Sequence, residues 1–137
     1  MLVSEAMSGP IDTCITEATL AEAAIRMTIE GHGALPVTLH DRLIGIITER
    51  DMVRAMADRR NPEKTTVGEF MTPEPDSLEP DVEVADAALW MLAAGYRHLP
   101  VVTDGQVIGM LSIKDIMWAL TGDDRGSDAR SDHVGRT

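Results

Sequence analysis

The chain has 137 residues, of which 44% are hydrophobic and 26% are charged, so it has enough apolar side chains to form a folded core. Only 3% of the residues are aromatic while nine are Met, and we therefore expect an aliphatic core rich in Ala and Met. The 12 basic and 23 acidic side chains leave a formal net charge of -11, which disfavours binding to duplex nucleic acid or to an anionic membrane by charge alone.

The chain contains one cysteine, Cys14, which excludes an intrachain disulfide and a thiolate metal cluster and is typical of a reducing compartment. No apolar stretch approaches the roughly 20 residues that cross a membrane, and the N-terminus lacks the charged head and apolar stretch of a signal peptide. We expect a soluble, cytoplasmic protein that does not bind a membrane.

The sequence is an internal repeat with a period of 64 residues. Residues 3–56 align without a gap with residues 67–120, and 16 of the 54 aligned pairs are identical. We expect a first unit with its linker at 1–63 and a second unit at 64–121, neither of them large enough to fold well alone. Residues 122–137 are acidic and almost without apolar side chains, which predicts a disordered tail.

Each copy predicts the order strand, helix, strand, strand, helix, so the predicted fold class is α+β. The copies begin with apolar segments that we interpret as turns, at 3–7 and 67–71. A brief strand is expected next, at 11–15 and 75–79.

Apolar residues then recur at the i, i+3, i+4, i+7 spacing of an amphipathic helix. Both helices are expected to end before a glycine, Gly31 or Gly95, which readily takes the left-handed conformation of a C-terminal cap. The apolar positions are Leu20, Ala23, Ala24 and Met27 in the first copy and Val84, Ala87, Ala88 and Met91 in the second.

A β-hairpin is predicted after each of these helices. Pro36 and Pro100 lie at the beginning of β-rich runs, and after a turn the chain returns at 43–47 and 107–111. The second turn contains Asp104-Gly105, a strong signal for a tight hairpin. Helical spacing resumes afterwards at Met52, Val53 and Met56 and, in the second copy, at Ile116, Met117 and Leu120.

The repeated motif Gly-x-x-Thr/Ser-x-x-Asp ends each hairpin and begins the next helix. Its hydroxyl and its acid, Thr48 with Asp51 and Ser112 with Asp115, have the spacing of a helix capping box, which explains them without any ligand. Both copies also place a cation, Arg50 or Lys114, in the first helical turn, where the helix dipole alone favours an anion.

A bound nucleotide explains that cation as well as the acid. The free N–H groups of a helix N-terminus attract phosphate, and a cation beside them suits the same group. An ionised carboxylate only accepts hydrogen bonds, and the vicinal hydroxyls of a ribose are two adjacent donors. Capping and nucleotide binding both stay open at this point.

The repeated order of Leu-Pro-Val followed by Gly-x-x-Thr/Ser-x-x-Asp resembles tandem cystathionine-β-synthase (CBS) domains, a pair often called a Bateman module. The resemblance covers nearly everything from residue 3 to residue 120. It implies two units packed about a pseudo-twofold axis, with two clefts that hold adenosine nucleotides such as AMP, ADP or ATP.

The resemblance also implies which residues bind the ligand in each cleft. The first cleft would use Thr13, Ile15, Ala34, Pro36, Thr48, Arg50 and Asp51, and the second would use Ser77, His98, Pro100, Ser112, Lys114 and Asp115. The copies differ at Gly33-Ala34 against Arg97-His98, so the two clefts are not chemically equal.

Other chemistry has little support in the sequence. The four histidines, His32, His40, His98 and His133, show no metal-ligand spacing, and Cys14 has no evident catalytic partner and is expected as a small buried hydrophobe. We expect no metal, no required cofactor and no catalysis.

We therefore predict a regulatory sensor that binds an adenosine nucleotide and acts on a downstream protein that the sequence does not identify. The alternatives are a structural or interaction module with vestigial clefts and an enzyme that acts on nucleotides. Trp90 and Trp118 align with Arg26 and Arg54, positions expected to face solvent, so we also predict a homodimer through the helices that carry the two tryptophans.

Overall fold

The structure is a computed structural model that describes residues 1–122. Apart from Gly122, the predicted tail at 122–137 lies outside the described residues. Within the described part, every helix is too short or too polar to span a bilayer. The elements in chain order are α1 (Val3–Ala6), α2 (Leu20–Glu30), β1 (Ala34–Leu39), β2 (Arg42–Thr48), α3 (Glu49–Ala57), α4 (Val67–Phe70), β3 (Thr72–Pro73), α5 (Val84–Ala94), β4 (His98–Thr103), β5 (Gln106–Ser112) and α6 (Ile113–Thr121).

The two long helices α2 and α5 occur where the apolar periodicity predicts them. Each buries a Leu or Val, an Ala and a Met from its predicted stripe. Gly31 and Gly95 cap their C-termini in the left-handed region, with φ angles of 72° and 78°. The helix predictions and their glycine stops are confirmed.

The two hairpins are also confirmed. Strands β1 and β2 pair antiparallel with Leu35 opposite Ile47, and β4 is hydrogen-bonded to β5. The turn residues take positive φ angles, 51° at His40 and 66° at Asp41, then 52° at Asp104 and 82° at Gly105. Two consecutive left-handed residues match the twist of the flanking strands, so the first turn forms although it lacks glycine.

The opening segment of each copy differs from the expectation. The turns predicted at 3–7 and 67–71 are the short helices α1 and α4. The brief strands predicted at 11–15 and 75–79 are reduced to single parallel bridges, of Cys14 with Val37 and of Leu78 with Val101. Pro36 and Pro100, which precede the bridged valines in the partner strands, have no N–H to donate, so the pairing does not extend past them.

The described residues form two compact units. The unit with Thr48 comprises Asp12–Asp76 and Asp104–Val107, and the unit with Ser112 comprises Met1–Ile11, Ser77–Thr103 and residues 108–122. We call them the Thr48 unit and the Ser112 unit.

The compact units differ from the division at residue 63, which follows the sequence repeat, because the opening helices are exchanged. Val3 and Ala6 of α1 are fully buried in the core of the Ser112 unit. Val67 and Phe70 of α4 are buried in the core of the Thr48 unit. Burial of these apolar side chains assigns each short helix to the unit formed by the other copy.

Apart from Phe70, both cores are aliphatic, as the composition predicts. In the Thr48 unit the core comprises Cys14, Leu20, Ala23, Met27, Leu35, Val37, Ile47, Ala55, Val67 and Phe70. In the Ser112 unit it comprises Val3, Ala6, Leu78, Val84, Ala87, Met91, Leu99, Val101, Leu111 and Ile116.

Candidate functional site

The first candidate site is built on the N-terminus of α3. The Asp51 amide donates to the Thr48 hydroxyl oxygen at 3.2 Å. Oδ2 of Asp51 accepts from the Thr48 amide at 2.8 Å and from the Thr48 hydroxyl at 3.0 Å. The predicted capping box is therefore complete, and it uses one of the two carboxylate oxygens of Asp51.

The strand residues of the first set lie beside this box. Ala34 is paired with Thr48 in the ladder of β1 and β2, and Pro36 follows two positions along β1 on the same face. The carbonyl of Pro36 accepts from the Cys14 amide at 3.0 Å. This bond holds Cys14 at the edge of β1, so its chain neighbours Thr13 and Ile15 also lie along that edge.

Burial divides this first set into three groups. Ala34, Pro36 and Asp51 are buried, Thr13 and Thr48 are half-buried, and Ile15 and Arg50 are exposed. Contact between a ligand and the side chains of Ala34 and Pro36 would need an exposure that the structure does not show. Their role in binding stays a prediction, whereas their position next to Thr48 is an observation.

The second candidate site repeats this geometry at the N-terminus of α6. The Asp115 amide donates to the Ser112 hydroxyl at 3.1 Å, and Oδ2 of Asp115 accepts from the Ser112 amide at 2.9 Å and from the Ser112 hydroxyl at 3.0 Å. Asp115 is buried to the same extent as Asp51, with 3% exposure.

The remaining residues of the second set surround that box in the same order. The Pro100 carbonyl accepts from the Leu78 amide at 2.8 Å, which places Ser77 at the strand edge as Thr13 is placed in the first site. His98 begins β4 and is half-buried, Pro100 is buried and Lys114 is exposed. The first set lies in the Thr48 unit and the second in the Ser112 unit.

Arg54 is a contact of the first site that the sequence reasoning did not include. Its Nη1 lies 3.4 Å from Oδ1 of Asp51, and its Nη2 donates to the Phe70 carbonyl at 3.4 Å. Its guanidinium also lies 6.0 Å from the centroid of the Phe70 ring, within cation–π range. The available signal was the i, i+3 spacing of an acid and a cation on one helix.

Cys14 lies between Thr13 and Ile15 but is not a reactive group. Burial raises the pKa of its thiol from 9.0 to about 11, and the nearby Arg26 lowers it only in part. At neutral pH the side chain is therefore a protonated thiol without nucleophilic character. Its interpretation as a small buried hydrophobe is confirmed by its place in the core.

Within residues 1–122 no three His, Cys, Asp or Glu side chains converge in a way that could hold a metal ion. His133, one of the four histidines considered, lies outside the described residues.

The second helix of each unit presents an apolar face to solvent. Val53 and Met56 of α3 are exposed, and so are their aligned partners Met117 and Leu120 of α6. On the first helix of each unit, Ile25 and its aligned partner Leu89 are exposed too.

The two tryptophans are less exposed than these residues. Trp90 is 38% exposed and makes an edge-to-face contact with Tyr96, with ring centroids 6.1 Å apart. Trp118 is half-buried. The expectation that both would face solvent holds for Trp90, whereas Trp118 is only partly exposed.

Comparison with known proteins identifies the repeat. The CBS domain profile matches residues 3–58 and again residues 67–122. An uncharacterized 17.7 kDa protein from Acidianus ambivalens, encoded in the bps2 3' region, is 40% identical over 104 residues. The match covers 74% of this chain and 62% of that protein, so the chain spans less than two thirds of that relative.

Two solved structures share the fold over most of the chain. The CBS domain pair of protein MJ0100, in complex with 5'-methylthioadenosine and S-adenosyl-L-methionine, superposes with a TM-score of 0.82 and 29% identity, over 90% of this chain and 98% of that one. The CBS domain protein PAE2072 from Pyrobaculum aerophilum, complexed with AMP, superposes with a TM-score of 0.79 and 26% identity, over 90% of this chain and 100% of that one.

Proposed function

The chain belongs to the CBS-domain family, and from that premise we propose that it is a regulatory module that binds an adenosine nucleotide, with AMP as the first candidate. The observation that carries this proposal is the duplicated carboxylate at the start of α3 and α6. Oδ2 of each carboxylate caps its helix, and Oδ1, which lies outside the capping box, is the oxygen proposed to accept from the ribose.

The named ligands of the two similar structures share one chemical group. AMP carries a phosphate, whereas 5'-methylthioadenosine and S-adenosyl-L-methionine carry sulfur at the same carbon, and all three contain adenosine. A site for all three ligands must therefore recognise adenine and ribose. An acceptor for the ribose diol would provide the recognition of ribose.

A phosphate would meet a suitable environment at the same helix ends. Arg50 and Lys114 are exposed in the first turns of α3 and α6, at the positive ends of these helix dipoles. A cation at the positive end of a helix favours an anion locally, in a chain whose overall charge of -11 repels one. This arrangement favours AMP, ADP or ATP over uncharged adenosine.

A thermal-shift screen tests the proposal directly. The full chain is melted with AMP, ADP, ATP, NAD and S-adenosyl-L-methionine, each at several concentrations. A ligand that binds only the folded chain raises Tm as its concentration increases. At 100 times its Kd it adds about 2.7 kcal/mol to the free energy of unfolding. A flat Tm for all five ligands, together with no heat in calorimetry, contradicts the proposal.

A structural or interaction module is the second candidate, and one observation favours it. Both capping boxes are complete without any ligand, so Thr48, Asp51, Ser112 and Asp115 all have a structural role already. In that case nucleotides do not bind, and substitution of the acids affects stability alone. Catalysis has weaker support, because the buried thiol of Cys14 is protonated and no other nucleophile with a base is evident in the described residues.

The module is proposed to act as a homodimer in the cytoplasm. The repeated exposed positions on the helices form apolar faces, which a soluble chain normally covers with a partner. Trp90 lies at the edge of such a face on α5, and Trp118 lies beside Met117 on α6. The downstream protein that reads the ligand state is not identified.

A further inference from the structure

Arg54 lies against the acceptor that the first site would offer to a ligand. Oδ2 of Asp51 already accepts two hydrogen bonds from Thr48, which leaves Oδ1 as its remaining acceptor. Nη1 of Arg54 lies 3.4 Å from that Oδ1. A ribose diol has two donors, so binding both hydroxyls at Asp51 requires the guanidinium to give way.

The guanidinium is held in this position by more than the carboxylate. Its Nη2 donates to the Phe70 carbonyl, and its plane lies near the Phe70 ring. Phe70 itself is buried, with 6% exposure, so it offers a fixed support. Arg54 thus bridges α3 and α4 directly across the carboxylate that the nucleotide proposal uses.

The second copy lacks both members of this support. The residue aligned with Arg54 is Trp118, and the residue aligned with Phe70 is Ala6. A tryptophan carries no positive charge and only one N–H donor, so it cannot form the same ion pair. The pairing of an arginine with the capping acid is therefore specific to the first site.

We propose that Arg54 is a specificity residue that lowers the affinity of the first site for the ribose diol by occupying Oδ1 of Asp51. This inference rests on the proposed nucleotide function. The side chain of Arg54 is 58% exposed, so solvent and salt weaken its pairing with Asp51. A partly exposed ion pair corresponds to a modest change, about two- to five-fold in Kd.

The experiment measures adenosine binding by calorimetry in a full chain that carries Asp115→Ala, so that the first site dominates. Adenosine is the probe because it is uncharged. It has no phosphate, so salt does not weaken its binding by screening a phosphate from nearby cations. Arg54→Met removes the charge but keeps an apolar stem over Phe70, and it is expected to tighten adenosine binding about two- to five-fold. Arg54→Lys keeps the charge and is expected to stay close to the parent.

Two further measurements separate competition from a merely structural effect. Salt screens the ion pair, so adenosine binding by the parent should tighten as NaCl rises, while binding by the Arg54→Met chain should stay flat. Arg54→Met should bring no gain in affinity for 2',3'-dideoxyadenosine, because this compound lacks the diol. If Asp115→Ala lowers the yield of folded chain, Asp115→Asn is the second background, because it keeps the size of the side chain.

Each outcome decides the inference. Tighter adenosine binding that is restricted to the diol and lost at high salt supports it. Unchanged or weaker adenosine binding in Arg54→Met, with clear binding by the parent, overturns the role of Arg54 and leaves the nucleotide function intact. An equal gain with the dideoxy compound also overturns it. No adenosine or AMP binding by any variant overturns the proposed function, and the inference with it.

Discussion

Asp51 and Asp115 each cap a helix, and each is also the acid that is proposed to bind the ribose. A carboxylate has two oxygens, and the capping box uses only Oδ2 of each residue. The two interpretations of the repeated motif are therefore compatible, because an intact cap fixes the orientation of the other oxygen.

The first prediction separates those two roles. Asp51→Ala and Asp115→Ala should each weaken AMP binding at their own site by about 1.5–3 kcal/mol, or about 10- to 150-fold in Kd, because a charge-assisted acceptor of the ribose is lost. Calorimetric titration of both single variants and the double variant measures this effect.

Glu22→Ala is the matched control for those variants. Glu22 closes the same kind of box with Thr19 at the start of α2, outside both candidate sites. All three variants should lose stability, typically about 1 kcal/mol for a lost cap, but only the Asp variants should lose affinity. Full AMP affinity in the double Asp variant would rule out the ribose role.

The second prediction concerns the pH dependence that Cys14 adds. Burial raises the pKa of its thiol above the unfolded value of 9.0, to about 11, so the folded chain holds its proton more tightly. The stabilisation of the folded chain that results from this raised pKa is fully present below pH 9 and is lost as pH rises toward 11. Urea denaturation from pH 7 to 10.5 should show this decline in the parent and a smaller one in Cys14→Ala. Equal slopes in the two chains would contradict the raised pKa.

At the scale of secondary-structure elements, the glycine that begins each motif has a packing role. A Cβ added at Gly45 would lie 2.5 Å from Sδ of Met71. At Gly109 it would lie 2.6 Å from Sδ of Met7 and 2.7 Å from the Ser8 carbonyl oxygen. In both hairpins the segment after a short helix crosses the strand at a point where a side chain does not fit.

The third prediction compares these equivalent glycines. At Gly45 the nearest atom belongs to the flexible Met71 side chain and a backbone oxygen lies at 3.2 Å, whereas at Gly109 a backbone oxygen lies at 2.7 Å. Gly109→Ala should therefore destabilise more than Gly45→Ala, within the range of about 1–3 kcal/mol that overpacking costs. Chemical denaturation of both variants measures the difference. A larger loss at Gly45 would show that Met71 cannot move aside.

The helices α3 and α6 differ from a simple amphipathic pattern. Their apolar residues at helical spacing do not all face the core, since Val53 and Met56 are 64% and 78% exposed. Asp51 and Ala55 are buried instead, because the N-terminal box directs the acid inward. The apolar faces of these helices are thus exposed because other residues of the same helices face the core.

At the scale of the whole molecule, the fourth prediction tests the proposed homodimer. Trp90→Arg copies the residue of the first repeat, and Met117→Glu places a charge on the exposed face of α6. A charge buried in an interface without a partner is strongly unfavourable, so the double variant should be a folded monomer by light scattering.

Leu39→Glu is the control for surface charge. Leu39 is 56% exposed at the end of β1 and lies outside the helices, so this variant should keep the oligomeric state of the parent. A dimer that persists in Trp90→Arg with Met117→Glu, under conditions where the parent is dimeric, would show that α5 and α6 do not form the interface.

The sequence alone determined the features that depend on neighbours in the chain. The 64-residue repeat, the stripes of α2 and α5, the glycine caps and the two hairpin turns all follow from local spacing and backbone preference. The capping boxes follow in the same way, because a hydroxyl and an acid three residues apart meet at any helix start.

The tertiary structure decided what depends on distant contacts. The exchange of α1 and α4 between the copies, the partial burial of Trp118 and the bridge from Asp51 through Arg54 to Phe70 have no local signature strong enough to predict them. Residues 54 and 70 meet because α4 packs against α3, and such packing results from burial of apolar surface rather than from sequence spacing. The candidate site was therefore predictable at its capping motif and not at the arginine that lies against it.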